Sequence, residues 1–223
     1  MAAHDWIVFD STGTLMTPDP EPAIVYQSTG RRLGSRLTIP QVRDDLKSAM
    51  LRHFFGDTAN APTSEQAELL RWRRIVADTL SDLRGEILET AFQSLWHHFA
   101  SSETWRIYPD VVPTLTRLKS SGYSIAIASN FDGRLRSVMA GSGIQDCVDE
   151  VFISSDLGWS KPNTLFYDSA AERLGASDRS RLLMIGDTQR GDVDAARQAG
   201  WDARLLVRDR SDALLELTED LCR

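Results

Sequence analysis

An aspartate stands directly after a short apolar run near the beginning of the sequence. The run is Trp6 to Phe9, and Asp10 is followed by a small polar turn that contains Gly13. A short apolar run bounded by turn residues is typical of a buried parallel strand. Open α/β sheets bind ligands in the crevice beyond the carboxyl ends of such strands. Asp10 can therefore act as a nucleophile or a metal ligand, or it can merely open a turn.

Three further polar segments follow predicted strands or lie in loops at the same edge of the predicted sheet. They are Ser129–Asn130, Lys161–Pro162, and Gly186–Asp187 with Asp192 shortly after. Each segment has a structural alternative, because Ser129–Asn130 can cap a helix and Asp192 can favour a helix start. Lys161, one of three lysines, can be an ordinary solvated lysine. Their common position after strand ends favours a shared functional site.

This set of side chains suits phosphoryl transfer, which depends on positioning and charge neutralisation more than on covalent machinery. The three carboxylates of Asp10, Asp187 and Asp192 would hold Mg²⁺ directly or orient its ligands. The metal would cancel the repulsion between a nucleophilic carboxylate and an incoming phosphate. Ser129, nearby backbone N–H groups and Lys161 can bind phosphate oxygens.

Two different patterns of predicted secondary structure position these residues. From Trp105 onward strands and helices alternate, which predicts a mostly parallel sheet with helices on both faces and right-handed crossovers. The predicted strands are 6–9, 123–128, 150–153, 182–185 and 203–207, and the predicted helices are 109–120, 133–139, 163–174 and 193–199. The pattern therefore predicts an α/β fold.

The sequence pattern of residues 17–103 predicts a helical module inserted after the first strand. The segment 16–22 contains three prolines and predicts a stiff, non-helical connector. Helices are predicted at 23–33, 41–55, 65–80 and 85–99, with a loop at 57–63 and Thr63 or Ser64 as the cap of the third helix. The catalytic core is accordingly predicted to comprise residues 1–16 and 104–223.

The composition is that of a globular protein with a sizeable core. Of its 223 residues 42% are hydrophobic and 26% are charged, and a formal net charge of -7 argues against a nucleic-acid-binding surface. Cys147 and Cys222 are far apart and lack metal-type spacing, which is typical of a reducing compartment. No signal peptide precedes the first strand, and no apolar run approaches the roughly 18 residues that span a bilayer. We expect a cytoplasmic monomer or homodimer that binds neither nucleic acid nor membrane.

Four segments resemble, in order, the four motifs of the haloacid dehalogenase (HAD) superfamily. Residues 9–15 resemble motif one, 127–130 motif two, 161–166 the lysine segment of motif three, and 185–200 the Gly-Asp motif four with its following helix. One such motif is weak evidence, but four in the right order are specific. The resemblance implies a Rossmann-like, mostly parallel sheet core with an inserted all-helical cap, which together enclose the site.

The resemblance also implies a metal site and a nucleophile. Asp10 is the nucleophile and a ligand of Mg²⁺. The backbone carbonyl of Thr12 is a further ligand, and Asp187 binds the metal. Asp192 binds it or holds its waters.

A phosphate site is implied by the same resemblance. Ser129 and Lys161 hold the phosphate and belong to the catalytic set, with Asn130 beside it. Thr14 braces the motif-one loop and is counted among the phosphate-binding residues.

Thr12 is where the sequence departs from the family pattern. The family's phosphatases usually carry a second aspartate at this position, which protonates the leaving group and then activates water. Threonine cannot do acid–base work near neutral pH. Because general acid–base catalysis contributes about 10²–10⁴-fold, a phosphatase with Thr12 should be slow, use another base or favour a good leaving group. P-type ATPases also carry threonine here and keep the phosphoenzyme long enough to use it.

These expectations combine into a Mg²⁺-dependent HAD-like hydrolase, a phosphatase that acts on a small phosphorylated metabolite through an aspartyl-phosphate on Asp10. One alternative is a haloacid dehalogenase or a phosphonatase-type hydrolase. The dehalogenases lack the Gly-Asp metal motif, and the phosphonatases use a cap lysine, for which Lys47 is the only candidate. A second alternative, which Thr12 keeps open, is a weakly active member that binds a phosphorylated ligand or a protein.

The inserted helices hold the candidates for substrate recognition. Basic residues could present positive charge to an anionic substrate or form a solvated helix face; they are Arg52, His53, Arg71, Arg73 and Arg74. Trp72, Trp96 and Trp105 are predicted to be core or domain-interface aromatics. The fold alone does not select the substrate.

Overall fold

A five-stranded parallel sheet forms the centre of the molecule. The computed structural model describes residues 4–55 and 61–222, with Phe55 described only by its backbone. The strands are β1 (Trp6–Phe9), β4 (Ser124–Ser129), β5 (Glu150–Ile153), β6 (Leu182–Gly186) and β7 (Asp202–Leu205), in the order β5-β4-β1-β6-β7. The predicted α/β class and all five predicted strands are confirmed, with ends shifted by up to two residues.

The register of the central strand brings the predicted polar segments to one edge. Phe9 of β1 pairs with Ile127 of β4 on one side and with Ile185 of β6 on the other. Asp10 therefore leaves the sheet between the carboxyl ends of β4 and β6. The expectation of a shared edge, which rested on the order of the segments and on their position at or after predicted strand ends, is confirmed.

Helices cover both faces of this sheet. They are α5 (Val111–Ser120), α6 (Arg134–Gly141), α7 (Ser154–Leu157), α8 (Thr164–Arg173), α9 (Ala195–Gln198) and α10 (Ala213–Leu217). Alternate residues of β1 point to opposite faces. Ile7 and Phe9 pack in the core layer beneath α5, α6 and α10, whereas Val8 packs in the layer beneath α8 and α9.

Four helices lie between the first strand and the rest of the sheet. They are α1 (Pro22–Arg32), α2 (Ile39–Phe55), α3 (Glu65–Thr79) and α4 (Gly85–His98), and they share an apolar core of their own. Ser64, one of the two predicted caps, accepts a hydrogen bond from the N–H of Ala67 at 3.2 Å. Gly56 and most of the predicted loop at 57–63 lie outside the described residues. No helix in the described ranges is long and apolar enough to cross a membrane.

The connector predicted at 16–22 is only partly correct. Met16–Pro18 forms a short strand, β2, which pairs antiparallel with β3 (Trp105–Ile107). A proline is tolerated here because the ladder has only two strands and Pro18 ends its strand. The segments that enter and leave the helical insertion are thus held together by the pairing of β2 with β3. The boundaries of 17–103 for a separate cap domain stay a prediction, and the inserted helices themselves span residues 22–98.

Candidate active site

Three carboxylates converge at the carboxyl edge of the sheet. One oxygen of each of Asp10, Asp187 and Asp192 lies within 4.8 Å of the other two. Asp10 follows β1 and Asp187 follows β6. Asp192 lies in a π-helical turn, Gln189–Asp194, which replaces the first part of the helix predicted at 193–199. The wide π-helical turn places Asp192 beside the end of β6. Asp187 and Asp192, five positions apart in the sequence, therefore lie in the same site.

Two glycines make room for these carboxylates. A Cβ added to Gly13, whose φ is +87°, would lie 2.3 Å from Oδ2 of Asp187. A Cβ added to Gly186 would lie 2.3 Å from Cγ of Asp192. Both distances are far below van der Waals contact, so the absence of a side chain at these two positions is a steric requirement of the site.

Lys161 joins two of the three carboxylates. Its Nζ donates to Oδ1 of Asp10 at 2.7 Å, to Oδ1 of Asp192 at 2.6 Å and to the carbonyl of Ala128 at 2.9 Å. The side chain is 4% exposed, so the ammonium is held almost wholly by protein oxygens. This excludes the alternative of a solvated surface lysine.

Burial and neighbouring charges shift the pKa values of Asp10, Lys161 and Asp192 in different directions. Burial raises the pKa of Asp10 to about 7, although the Lys161 ammonium opposes the shift. Burial opposes the charge on Lys161, but Asp10 and Asp192 outweigh it and raise the pKa of the lysine. Burial likewise opposes ionisation of Asp192, but Lys161 and hydrogen bonds from Thr188 hold the pKa of Asp192 below its ordinary value. Lys161 therefore remains a cation, and Asp192 is its constant counter-ion.

The donor set fits a hard divalent cation. Three carboxylates against one ammonium leave an excess of negative charge, and carboxylate oxygen is the ligand type that Mg²⁺ prefers. Burial, together with the Asp192 carboxylate, raises the pKa of Asp187 although the Lys161 charge opposes the shift, and no ion pair to Asp187 is present among residues 4–55 and 61–222. Asp10, Asp187 and Asp192 are thus suitable ligands, and the backbone carbonyl of Thr12 stays a predicted one.

Gly13→Ala should therefore weaken Mg²⁺ binding as well as the fold. We expect a loss of stability of about 1–2 kcal/mol from the positive φ and, because the new methyl group displaces Asp187, a Mg²⁺ affinity lower by roughly 10-fold or more. Calorimetric titration with Mg²⁺ and urea unfolding measure the two effects. Gly34→Ala is the matched control, since Gly34 has a φ of +98° with no atom near its Cβ position. Unchanged Mg²⁺ affinity in Gly13→Ala would contradict the assignment of Asp187.

The predicted phosphate ligands are engaged with the protein in different ways. Ser129 is buried and shares a hydrogen bond with Ser11, with 2.6 Å between the two Oγ atoms. The side-chain amide of Asn130 donates to the carbonyl of Lys161 at 2.8 Å and accepts from its N–H at 2.7 Å. Asn130 therefore fixes the loop that carries the lysine. Direct contact of Ser129 and Asn130 with phosphate stays a prediction.

Thr14 contacts both a carboxylate of the site and a distant arginine, and its direct contact with phosphate stays a prediction. Its side chain is fully buried, and its Oγ1 donates to Oδ1 of Asp187 at 3.5 Å. Its carbonyl accepts from Nε of Arg208 at 3.1 Å. These contacts are those expected of a residue that braces the motif-one loop.

Arg208 and Asp110 are structural supports of the site that the sequence analysis missed. The Arg208 guanidinium pairs with Asp110 at 2.6 Å and lies 4.2 Å from the centre of the Tyr108 ring. Asp110 also accepts from the N–H of Leu214 at 2.8 Å. The motif-one loop is thereby fixed to two distant segments, and no local pattern marks such a contact.

An apolar cavity of about 320 Å³ opens from this site into the inserted helices. Thr12, Asn130, Ser160 and Lys161 form the wall at the site, and aromatic side chains dominate the remaining lining. These are Tyr26, Phe54, Trp72, Phe92, Trp96, Phe99, Trp105 and Phe131. The tryptophans Trp72, Trp96 and Trp105, predicted as core or interface aromatics, thus all line a cavity.

Two arginines line the same cavity. Arg71, predicted as solvated or substrate-binding, is mostly buried and pairs with the buried Glu68. Arg134 pairs with the buried Asp132 at 2.7 Å, and its guanidinium lies 3.6 Å from the centre of the Trp96 ring. Other predicted basic residues are engaged away from the cavity, since Arg52 pairs with Asp78 and Arg73 with Glu89.

Comparison with known families agrees with this arrangement. A hydrolase family model matches residues 4–200. The chain belongs to that family, the haloacid dehalogenase-like hydrolases, as its four motifs predicted.

Proteins with different activities are similar to this chain in sequence or in fold. The pyrimidine 5′-nucleotidase YjjG of Escherichia coli (strain K12) is 27% identical over 199 residues, which cover 88% of this chain and 83% of the nucleotidase. A HAD phosphatase from Thermococcus onnurineus superposes with a TM-score of 0.67 and 25% identity, over 99% of this chain and 98% of that one. An L-2-haloacid dehalogenase from Xanthobacter autotrophicus gives a TM-score of 0.65 with 21% identity, over 97% and 83% of the two chains. At that identity the dehalogenase shows the fold alone.

Proposed function

We propose that this hydrolase is a Mg²⁺-dependent phosphatase that transfers the phosphoryl group of a small phosphorylated metabolite to Asp10 and then to water. The observation that carries the proposal is the group of three carboxylates within 4.8 Å, next to a buried lysine. A metal site of this kind neutralises phosphate. A haloacid carries no phosphoryl charge to neutralise, so a haloacid substrate would not account for the Asp187 carboxylate in this group.

Each residue has a distinct part in this proposal. Asp10 attacks phosphorus and displaces the alcohol, which gives an aspartyl-phosphate; water then attacks phosphorus, and phosphate leaves while Asp10 is regenerated. Lys161 orients Asp10 through the 2.7 Å hydrogen bond and brings positive charge to the phosphoryl oxygens. When bound by the carboxylates, Mg²⁺ would supply further neutralisation of the phosphate charge.

Phosphate release with Mg²⁺ and with EDTA tests the proposal. We expect wild-type turnover of p-nitrophenyl phosphate and of part of a metabolite phosphate panel only with Mg²⁺, and none by Asp10→Asn. Asp187→Asn should weaken calorimetric Mg²⁺ binding by roughly 10-fold or more. Asp209→Asn is the control, because Asp209 is an exposed aspartate outside the carboxylate group. Equal Mg²⁺ affinity in wild type and Asp187→Asn would refute the metal site, and equal turnover in Asp10→Asn would refute the nucleophile.

The alternatives predict different products from the same preparation. A dehalogenase would release halide from 2-haloacids whether or not EDTA is present. A phosphonatase would need a lysine of the inserted helices in the cavity, but Lys47, the only lysine of that segment, is exposed and is not part of the lining. A binding member would bind Mg²⁺ and release nothing from any compound.

A further inference from the structure

We propose that the leaving group of the physiological substrate is an aromatic alcohol, so that the substrate is an aryl phosphate whose ring occupies the apolar cavity. This rests on the phosphatase activity proposed above and specifies its substrate class. Three independent features of the chain lead to it: the lining of the cavity, the state of its charges, and the residue at position 12.

The cavity has the size and chemistry of a ring-binding site. It joins the reaction centre directly, because Thr12 and Lys161 belong to its lining. Apolar cavities of about 150 Å³ hold a benzene ring, so about 320 Å³ accommodates one or two fused rings. Aromatic side chains bind rings through offset and edge-to-face contacts. Phe54 and Trp72 already form an edge contact, with ring centres 5.5 Å apart.

The charges of the lining disfavour a polar or second anionic group on the substrate. Both lining arginines are neutralised within the protein, Arg134 by Asp132 and Arg71 by Glu68. A carboxylate entering the cavity would have to compete with these buried partners and lose its hydration. Most of the other polar side chains of the lining already bond within the protein, among them Asn130 and Lys161, so a polyhydroxylated leaving group would find few free partners there. The Ser160 hydroxyl is buried with no hydrogen-bond partner among the described residues.

Thr12 selects the same class of compound by its chemistry. When Asp10 attacks phosphorus, the breaking P–O bond leaves its electron pair on the departing oxygen. A phenol, like tyrosine, has a pKa of about 10, so its oxyanion departs without prior protonation, whereas an aliphatic alcohol resembles water, with a pKa near 15.7. A chain with threonine at the acid's position is therefore suited to aryl esters.

A panel of four substrates separates ring binding from leaving-group quality. 2-Naphthyl phosphate has both a ring and a good leaving group, acetyl phosphate only a good leaving group, and benzyl phosphate only a ring. Glycerol 3-phosphate has neither. We expect kcat/KM for 2-naphthyl phosphate to exceed that for glycerol 3-phosphate by about 100-fold or more. Benzyl phosphate should compete with 2-naphthyl phosphate for binding yet turn over slowly.

A variant of the cavity gives a second, independent readout. Trp96→Leu should raise KM for 2-naphthyl phosphate roughly tenfold and leave KM for acetyl phosphate nearly unchanged. Trp6→Leu is the control, because Trp6 lies at the end of β1 opposite Asp10. If Trp96→Leu does not fold, the wild-type panel still decides.

Different results would contradict the phosphatase activity and the aryl phosphate substrate. Failure to hydrolyse even acetyl phosphate would contradict the phosphatase itself. Turnover of acetyl phosphate with no preference for 2-naphthyl phosphate over glycerol 3-phosphate would contradict only the aryl substrate, as would an equal rise of both KM values in Trp96→Leu.

Discussion

Thr12→Asp is expected to raise steady-state phosphatase turnover by about 10²–10⁴-fold, the range that a positioned general acid–base contributes. Thr12 is exposed and belongs to the lining of the cavity at the point where it meets Lys161. An aspartate there would face the scissile P–O bond and the water that later attacks the aspartyl-phosphate. No side chain with a carboxyl group takes this place among the described lining residues.

The kinetic course should change together with the rate. With an activated ester, wild-type enzyme should release about one equivalent of nitrophenol per active site in a burst, because attack needs no acid but hydrolysis of the aspartyl-phosphate lacks a base. Thr12→Asp should remove the burst, and rapid mixing with p-nitrophenyl phosphate measures both phases.

Thr12→Asn is the matched control, because asparagine has the size of aspartate without its proton chemistry. It should keep the burst and the slow steady state. If wild type shows no burst and Thr12→Asp turns over no faster, the threonine does not limit the reaction, and another group supplies the acid–base step.

The positions of the carboxylates follow from local sequence, because a parallel sheet converts strand ends into neighbours. Asp10, Ser129 and Asp187 each stand at or directly after the end of a short apolar run, so their meeting at one edge was predictable once the strands were recognised. The sequence also placed Lys161 at this edge, in the loop before a predicted helix, but only the resemblance to a known family made its assignment to the site specific. Lys161 lies in a loop, and a loop has no helical or strand periodicity from which the burial of a side chain can be predicted.

Contacts between distant segments were not predictable. β2 and β3 pair although the whole helical insertion separates them, and a three-residue strand that ends in proline carries no strand pattern. The stacking of Arg134 on Trp96 joins a helix of the sheet domain to a helix of the insertion. Whether an arginine is solvated, substrate-binding or neutralised depends on such a partner, which is why the sequence left the role of Arg71 open.

Lys161→Met should destabilise the protein and abolish most of its activity. Methionine fills a similar volume, but it leaves Asp10 and Asp192 buried, facing each other without the ammonium that lies 2.7 and 2.6 Å from them. Removing one partner from a buried ion pair costs about 3–5 kcal/mol. The loss of a charge positioned on the phosphoryl group should lower kcat by at least about 10²-fold.

Lys119→Met is the control that separates burial from pairing. Lys119 also pairs with an aspartate, Asp149, at 2.7 Å, but both of these side chains are more than a third exposed. An exposed pair contributes about 0–1 kcal/mol, so urea unfolding in EDTA should separate the two variants clearly. Equal stability of Lys161→Met and Lys119→Met would mean that the buried carboxylates do not depend on the lysine.

The pH dependence identifies the cause of the instability in Lys161→Met. Without the ammonium, nothing opposes the raised pKa that burial gives Asp10, already about 7 with the lysine present. A carboxyl whose pKa is higher in the folded than in the unfolded protein destabilises the fold as pH rises through that range. The deficit relative to wild type should therefore be largest above pH 7 and should shrink on acidification, when one of the facing carboxyls takes up a proton. A packing defect caused by the introduced methionine side chain would be the same at every pH, so the profile distinguishes electrostatic repulsion between Asp10 and Asp192 from a poorly filled site.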